Sequence, residues 1–501
     1  MMTIHTFGHT RNYEMEALLK LFLPAERFQL SVNLTQEPPQ TEYISAVLCP
    51  LPDGMQQLIC RTDWQGSQCQ AEKIMPDSIQ GNDLDREISA LLYPHLCAIS
   101  GLRPAWGMLT GIRPVNLLRR FVKRDGGLAQ AMDTFRDVWH VTEQKTQLAA
   151  QILQVQQPIF DATPQNAISI YVSIPFCPSR CRYCSFVSNS VTQMKQKLLP
   201  DYLDKLHREI ELTAKLITEQ NLEIDTVYIG GGTPTVLDAP DLHDLLTWID
   251  RYLLHAPRQS GDTTERTLRE YTVEAGRPDT ITREKLEIMR DFGVTRISVN
   301  PQSFQDNVLE AAGRPHSADD TIEAYELAKE VGFTNINMDF IAGLPCDTAD
   351  GFRESIDRAI SLAPASITVH CLSLKKAADF YQSLPMPDAE TVSEMVEYAQ
   401  NALQSMGYRP YYLYRQKNMA ANLENVGYAK AGFESPYNVL MMDDSQTILG
   451  IGSGASTKLI GGKRGIERVT ECKYPYDYVE RYDELMEKKR ALIVPAADEC
   501  F

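Results

Sequence analysis

From residue 168 onward, short apolar and β-branched runs alternate with longer stretches whose apolar residues recur every three to four positions. The runs predict strands over 168–174, 225–229, 271–274, 296–300, 335–341 and 366–372. The stretches between them predict amphipathic helices over 202–216, 242–254, 283–292, 319–331 and 351–362. Such βα units in series imply parallel strands joined by right-handed crossovers. Six units fall short of the eight that close a full barrel. The expected fold class is therefore α/β, a partial (β/α)6 TIM-like barrel, with chemistry at the carboxyl ends of its strands. Polar and glycine residues stand at those ends: Gly230-Gly-Gly-Thr-Pro-Thr235, Glu274, Asn300-Pro-Gln302-Ser, and Asp339 ahead of Gly343-Leu-Pro345.

Outside the barrel the pattern changes. Residues 1–165 predict an N-terminal α+β domain, with strands over 3–7, 44–49 and 57–61, helices over 14–23 and 83–98, and a Pro/Gln-rich connector near 155–165. Residues 166–380 hold the barrel, and 381–501 form a C-terminal extension expected to cover the substrate. That extension predicts a helix over 389–406, a Tyr-rich run at 408–414, a Gly-rich run at 450–454 and a charged helix over 476–490.

Composition narrows the function. A 501-residue chain that is 43% hydrophobic and 23% charged is an ordinary globular sequence. The net charge of −17 argues against a phosphate-backbone binder, so no nucleic-acid partner is expected. It leaves room for a polycarboxylate held by a few converging Arg and Lys side chains. No apolar run reaches the length of a membrane span, and the first residues lack a basic region followed by an apolar stretch. The eleven cysteines are scattered and odd in number. A cytoplasmic location, where thiols stay reduced, is expected.

Three of those cysteines carry the chemistry. Cys177, Cys181 and Cys184 lie at CxxxCxxC spacing directly after the first predicted barrel strand, in Tyr171-Val-Ser-Ile-Pro-Phe-Cys-Pro-Ser-Arg-Cys-Arg-Tyr-Cys184. A [4Fe–4S] cluster normally takes four thiolates, so three leave one iron open to another ligand. This resembles the radical S-adenosylmethionine (SAM) enzymes, and Tyr183 supplies their usual aromatic residue before the last cysteine. A structural zinc site would bring a fourth Cys or His close by, and the nearest downstream histidine, His207, falls in a helical pattern. Three unrelated buried thiols are the other reading, which leaves the regular spacing unexplained. The triple glycine lets backbone approach a ligand closely and turns bare N–H groups toward it, although such a run also makes tight βα turns. Glu274 suits an amino group or ribose hydroxyls, or a salt bridge to Arg277.

Tyr171 to Cys184, the 230–235 turn, Glu274, Gln302, Gly313-Arg314 and Asp339-Phe-Ile-Ala-Gly-Leu-Pro345 resemble the oxygen-independent coproporphyrinogen III oxidase family. Trp106-Gly-Met-Leu-Thr-Gly-Ile-Arg-Pro114, Tyr411 to Met419 and Asn422 to Tyr428 resemble its HemZ-type coproporphyrinogen dehydrogenases, which extends the resemblance over nearly the whole chain. The resemblance implies a radical SAM oxidoreductase with a [4Fe–4S] cluster on Cys177, Cys181 and Cys184 and SAM on its open iron. It places Tyr171, Gly231 and Glu274 against that SAM, and Tyr183, Gly232, Thr233, Gln302, Arg314 and Asp339 around a second SAM site. Arg314 and Asp339 would equally suit a buried ion pair. The implied reaction is reductive cleavage of SAM, hydrogen removal from the β-carbon of a propionate, and loss of CO2 to leave a vinyl group, twice per coproporphyrinogen III, giving protoporphyrinogen IX in haem biosynthesis. The implied partners are the tetrapyrrole and a reducing electron donor of flavodoxin or ferredoxin type.

Two departures touch the substrate step and spare the cluster: Phe186 stands where the oxidases carry a further cysteine, and Ser173 where they carry a histidine. A haem chaperone or haem-modifying radical SAM protein is therefore the alternative within the superfamily. An electron carrier, from another class, would want four ligands to its cluster. Tyr411, Tyr412, Tyr414, Arg415 and Lys417 either border the tetrapyrrole carboxylates or form an ordinary half-buried strand. Residues 106–114 either reach over the barrel mouth or set a turn leading into a helix start, and the turn preferences of Gly and Pro favour the second.

Overall fold

Alternating apolar positions at the start of the chain build a five-stranded sheet in the order β2-β1-β3-β4-β5. Its strands are β1 (Thr3–Phe7), β2 (Gln29–Val32), β3 (Tyr43–Leu51), β4 (Met55–Trp64) and β5 (Ser67–Pro76). β4 buries every second residue, the signature of a sheet with one face on a core. The helix Gly81–Ser100 lays Leu84, Ile88, Leu92 and Leu96 on that core at four-residue intervals and ends at Gly101, whose φ of 70° is the left-handed cap glycine favours. β5, rich in Ser, Gln, Glu and Lys, carries too little apolar alternation to be read as a strand from sequence. This computed structural model describes residues 2–24, 26–39, 41–184, 189–190, 198–255, 268–373, 385–416, 419–462, 465–470 and 472–498.

The expected connector near 155–165 is corrected. Glu143–Asp161 is one helix, and only the last few residues of the expected range are loop. Leu148, Ile152, Val155 and Ile159 recur at helical intervals, and Gln is a good helix former, so the Gln-rich composition masked an apolar stripe. The chain divides into two compact units, 1–150 with 415–418, and 151–414 with 419–501.

In the second unit the six expected barrel strands pair in parallel and in chain order: β6 (Ala167–Ile174), β9 (Glu223–Gly231), β10 (Glu270–Glu274), β11 (Arg296–Ser298), β12 (Ile336–Ala342) and β13 (Ser366–Cys371). Two short strands, β7 (Phe176–Cys177) and β8 (Asn189–Ser190), pair in the loop region after β6. The helices Ala239–Ile249, Arg283–Asp291, Ala318–Val331, Ala349–Leu362 and Ala389–Ser405 begin at Asp238, Thr282, Ser317, Thr348 and Asp388, whose side chains each accept a first-turn N–H. Antiparallel β15 (Asn425–Ala429) and β14 (Arg409–Tyr414) extend the sheet beyond β13. On the other side β16 (Thr447–Ile451) runs parallel beside β6, followed by β17 (Ser456–Gly462) and β18 (Gly465–Thr470). Among the described residues the sheet ends at β14 and β18, so backbone pairing leaves the barrel open. No helix among them is long and apolar enough to cross a membrane.

Strand alternation sorts the side chains. Val172, Ile229, Val273, Ile297, Phe340 and Val369 are buried apolar positions, while their neighbours Tyr171, Tyr228, Glu274, Arg296, Asp339 and His370 form the opposite, polar face lining the lumen. A barrel core is ordinarily filled with branched apolar residues. This one is polar from Ser169 to the strand ends.

Candidate active site

Chain leaving β6 enters the cysteine loop at the carboxyl end of the barrel. Cys177, Cys181 and Cys184 are half-buried and none is in a disulfide. The Cys184 N–H donates to the Cys181 carbonyl at 3.1 Å, closing a turn, and the Arg182 N–H donates to the Ala312 carbonyl at 3.0 Å. Donors converge on the sulfurs: the Thr233 hydroxyl is 3.6 Å from Cys177 Sγ, and Nη1 of Arg277 and Nη1 of Arg314 each lie 3.9 Å from Cys181 Sγ. Two guanidiniums beside one sulfur would offset the negative charge that a cluster-bound sulfur carries. Arg314 also donates to the Tyr183 hydroxyl at 3.0 Å and to the carbonyls of Gly276 (3.0 Å) and Asn300 (2.7 Å). Burial, with Arg314 and Arg277 nearby, pushes His316 down to about 3, so it stays a neutral ring against Arg314.

The glycine turn acts differently from expectation. The N–H groups of Gly232 and Thr233 are not bare; they donate to the carbonyls of Ile174 and Phe176, each at 2.8 Å. The Gly231 N–H bonds the Glu274 carboxylate. Absence of a side chain is what matters: a Cβ on Gly232 would lie 2.4 Å from the Phe176 carbonyl oxygen, and Gly231 has a φ of +107°. The turn locks β9 against the cysteine loop. Gly232→Ala should push the loop off its seat and lower SAM affinity at least tenfold, about 1.4 kcal/mol, without unfolding the protein; calorimetry beside circular dichroism measures both, and unchanged affinity would show that the loop tolerates the displacement.

Glu274 and Tyr171 meet through Tyr228. The Tyr228 hydroxyl donates to Glu274 Oε1 at 2.5 Å, and its ring lies 6.1 Å from Tyr171 and 4.4 Å from Tyr437 between centroids. Burial pushes the Glu274 carboxyl up to about 7; Tyr228, Arg296 and the Gly231 N–H pull it down, and Asp339 pushes it further up. The alternative salt bridge from Glu274 to Arg277 is not formed, because Arg277 pairs with Asp279 at 2.9 Å. Nor do Arg314 and Asp339 form the alternative ion pair. Asp339 accepts from Asn337 Nδ2 at 2.7 Å and faces His370 Nε2 at 3.8 Å. Burial opposes its ionisation, but His370, Asn337 and Arg296 outweigh burial and hold it below the ordinary range. Gln302 adopts a φ of +69° and bridges Phe340, and its amide Oε1 is buried without a partner, an acceptor left for a ligand.

The structure thus joins Cys181, Tyr183 and Arg314 in one network, Thr233 to Cys177, and Tyr171 to Glu274 through Tyr228. Sequence reading missed Tyr228, Tyr437 and His370, and took Arg277 only as a partner for Glu274. Tyr228 and His370 were within reach, since both are polar interruptions at period two in apolar strands. Tyr411 and Tyr412 are buried core residues, with Asn438 Nδ2 donating to the Tyr411 hydroxyl at 3.3 Å. Arg415, also buried, donates to the Leu109 carbonyl at 2.6 Å beside Trp106, and Pro114 opens the helix Pro114–Asp125, so residues 106–114 serve packing. Lys417 and Phe186 lie outside the described residues.

A parallel barrel with a CxxxCxxC loop after its first strand defines a class, and the family model for the radical SAM superfamily matches residues 171–359. Membership brings a [4Fe–4S] cluster and SAM as cofactors. The chain is 38% identical over 411 residues to the oxygen-independent coproporphyrinogen-III oxidase-like protein HemZ of Bacillus subtilis, covering 80% of this chain and 79% of that one. It belongs to the family of these oxygen-independent coproporphyrinogen III oxidase-like proteins. It is also 33% identical over 322 residues to the heme chaperone HemW of Bacillus subtilis, 62% of this chain and 77% of the other. The solved structure of coproporphyrinogen III oxidase (HemN) from Escherichia coli, a radical SAM enzyme, aligns with a TM-score of 0.51 at 21% identity over 67% of this chain and 73% of that one, a likeness of fold.

Proposed function

We propose that this protein carries out the oxygen-independent oxidative decarboxylation of coproporphyrinogen III to protoporphyrinogen IX. The observation that carries the chemistry is the seat of Cys181, a sulfur faced by two buried guanidiniums on a loop bonded to the glycine turn. The choice of tetrapyrrole is supported by the likeness to HemZ, which extends beyond the barrel to 80% of the chain. In this reading Cys177, Cys181 and Cys184 hold three irons, and Arg277 and Arg314 offset the thiolate charge. Tyr171, Gly231 and Glu274 contact the SAM on the cluster. Tyr183, Gly232, Thr233, Gln302, Arg314 and Asp339 line a second SAM site, for which the unpartnered Gln302 oxygen is an acceptor in waiting. Once reduced by a flavodoxin- or ferredoxin-type donor, the bound cofactors supply a hydrogen-abstracting radical. The protein supplies orientation and a water-poor lumen walled by Tyr171, Tyr228 and Tyr437.

A second reading, a haem chaperone or haem-modifying protein, has support from the likeness to HemW and from Ser173 at the end of β6. Incubating the reconstituted protein anaerobically with dithionite, SAM and coproporphyrinogen III separates the two. Loss of two CO2 per tetrapyrrole by mass spectrometry is expected. SAM cleavage with unchanged coproporphyrinogen, together with tight haem binding, would overturn the first reading in favour of the second.

A further inference from the structure

Arg296 opens β11 with its side chain 1% exposed. It pairs across the sheet with Thr272, which pairs with Tyr228, which pairs with Tyr171, so one rung of the ladder sets it on the lumen face. Its Nε is buried without a hydrogen-bond partner, and among the described residues no carboxylate reaches its guanidinium within ion-pair distance. Glu270, on the neighbouring strand two residues before Thr272, accepts from the hydroxyls of Thr272 (2.7 Å) and Ser435 (2.9 Å). Buried arginines are almost always paired, because an uncompensated charge in a dry interior is costly. No ion pair among the described residues holds this cation: it lies on the lumen face diagonal to Glu274, which pairs with Ser298, and the groups around it are Glu270, Tyr228, Tyr411 and Tyr412, with its field also reaching Glu274 and Asp339.

We propose that Arg296 is a positioning residue, a buried lumen cation without an ion-pair partner that sets the charge of the Glu274 and Asp339 pair where SAM is received at the barrel mouth. The inference rests on the SAM-binding reading above. SAM carries a permanent sulfonium cation, so its site gains from anions. Two carboxylates in a poorly hydrated lumen favour protonation of one another, and Asp339 does push Glu274 upward. A guanidinium cannot lose its proton, so it offsets that tendency at every working pH. The other groups facing Glu274 are Tyr171 on β6, Tyr228 on β9, Asp339 on β12 and Tyr437; those facing Asp339 are His370 on β13, Tyr411 and Tyr412 on β14, and Tyr228.

The sign follows directly. SAM binds the ionised form, so binding weakens as pH falls through about 7, the Glu274 value. Removing Arg296 removes a downward pull and moves that midpoint to higher pH. If the carboxyl rises by one unit, its ionised fraction at pH 7 drops from one half to about one eleventh, and affinity falls roughly fivefold. The test is anaerobic calorimetry of SAM with the cluster-reconstituted protein across pH 6 to 9, for the parent, Arg296→Lys, Arg296→Met and Arg296→Met in a Glu274→Gln background. Arg296→Met should bind weakly at pH 7 and recover at high pH, Arg296→Lys should restore most of the parent profile, and the shift should shrink in the Glu274→Gln background. Parent-like midpoints in both single variants, or a loss that is equal at every pH, would overturn the proposal. Failure of the parent itself to bind SAM would instead overturn the reading on which the proposal rests. Thermal melts identify any variant that fails to fold, and Arg296→Lys then carries the comparison.

Discussion

Cys181→Ala is expected to leave a folded protein without its cluster. Iron should fall from about four per chain after reconstitution to background, together with the broad visible absorption of the cluster, because two thiolates hold a cubane too weakly to survive desalting. The fold should persist, since Cys181 is half-buried on a loop and is not among the buried apolar core residues. Arg277 and Arg314 would lose their sulfur partner but keep Asp279, Ser179 and the carbonyls of Gly276 and Asn300. Iron and sulfide analysis of the parent, Cys181→Ala and a control, Cys69→Ala on the edge strand β5, measures the effect. Full iron in Cys181→Ala, or loss in the control, would place the cluster elsewhere.

Lys489→Met should cost about 3–5 kcal/mol of stability, the usual penalty for leaving a buried charge without its partner. Lys489 lies 2.5 Å from Glu209 Oε1 and also donates to the Gly450 carbonyl at 2.6 Å; both side chains are almost fully buried. Glu209 accepts in addition from the Tyr478 hydroxyl at 2.5 Å and the Gly452 N–H at 2.8 Å. This cluster fixes the 450–453 turn beside Ser173, whose carbonyl accepts from the Tyr202 hydroxyl at 2.8 Å. Breaking it therefore loosens the end of β6, from which the cysteine loop springs. Urea unfolding measures the cost, and adding Glu209→Gln should recover part of it, because the uncompensated anion is then gone. A loss below about 1 kcal/mol, the scale of an exposed ion pair, would show that water reaches the cluster.

Much of this architecture could be read from the chain. The six parallel strands matched their predicted positions to within two residues or so, because runs such as Ile-Ser-Ile-Tyr-Val-Ser-Ile carry both a β-branched composition and the period of a strand. The cysteine spacing and the polar strand ends were equally plain. What stayed hidden depends on contacts distant in sequence. Nothing local marks Thr447–Ile451 as a strand parallel to β6, some 280 positions earlier in the chain. The Gln-rich helix 143–161 was obscured by its composition. The role of Gly232 emerged only once the Phe176 carbonyl stood against it, and Arg296 looked like any strand residue until its missing partner was seen.

The claim on which the rest depends is that this chain cleaves SAM reductively at a cluster held by Cys177, Cys181 and Cys184. The direct measurement is quantification of methionine and 5′-deoxyadenosine from anaerobic mixtures of the reconstituted protein, SAM and dithionite. Equal amounts of the two products, formed only with reductant and absent in Cys181→Ala, are predicted. A protein carrying about four irons that leaves SAM intact under reduction would contradict the account and assign the cluster to electron carriage or structure.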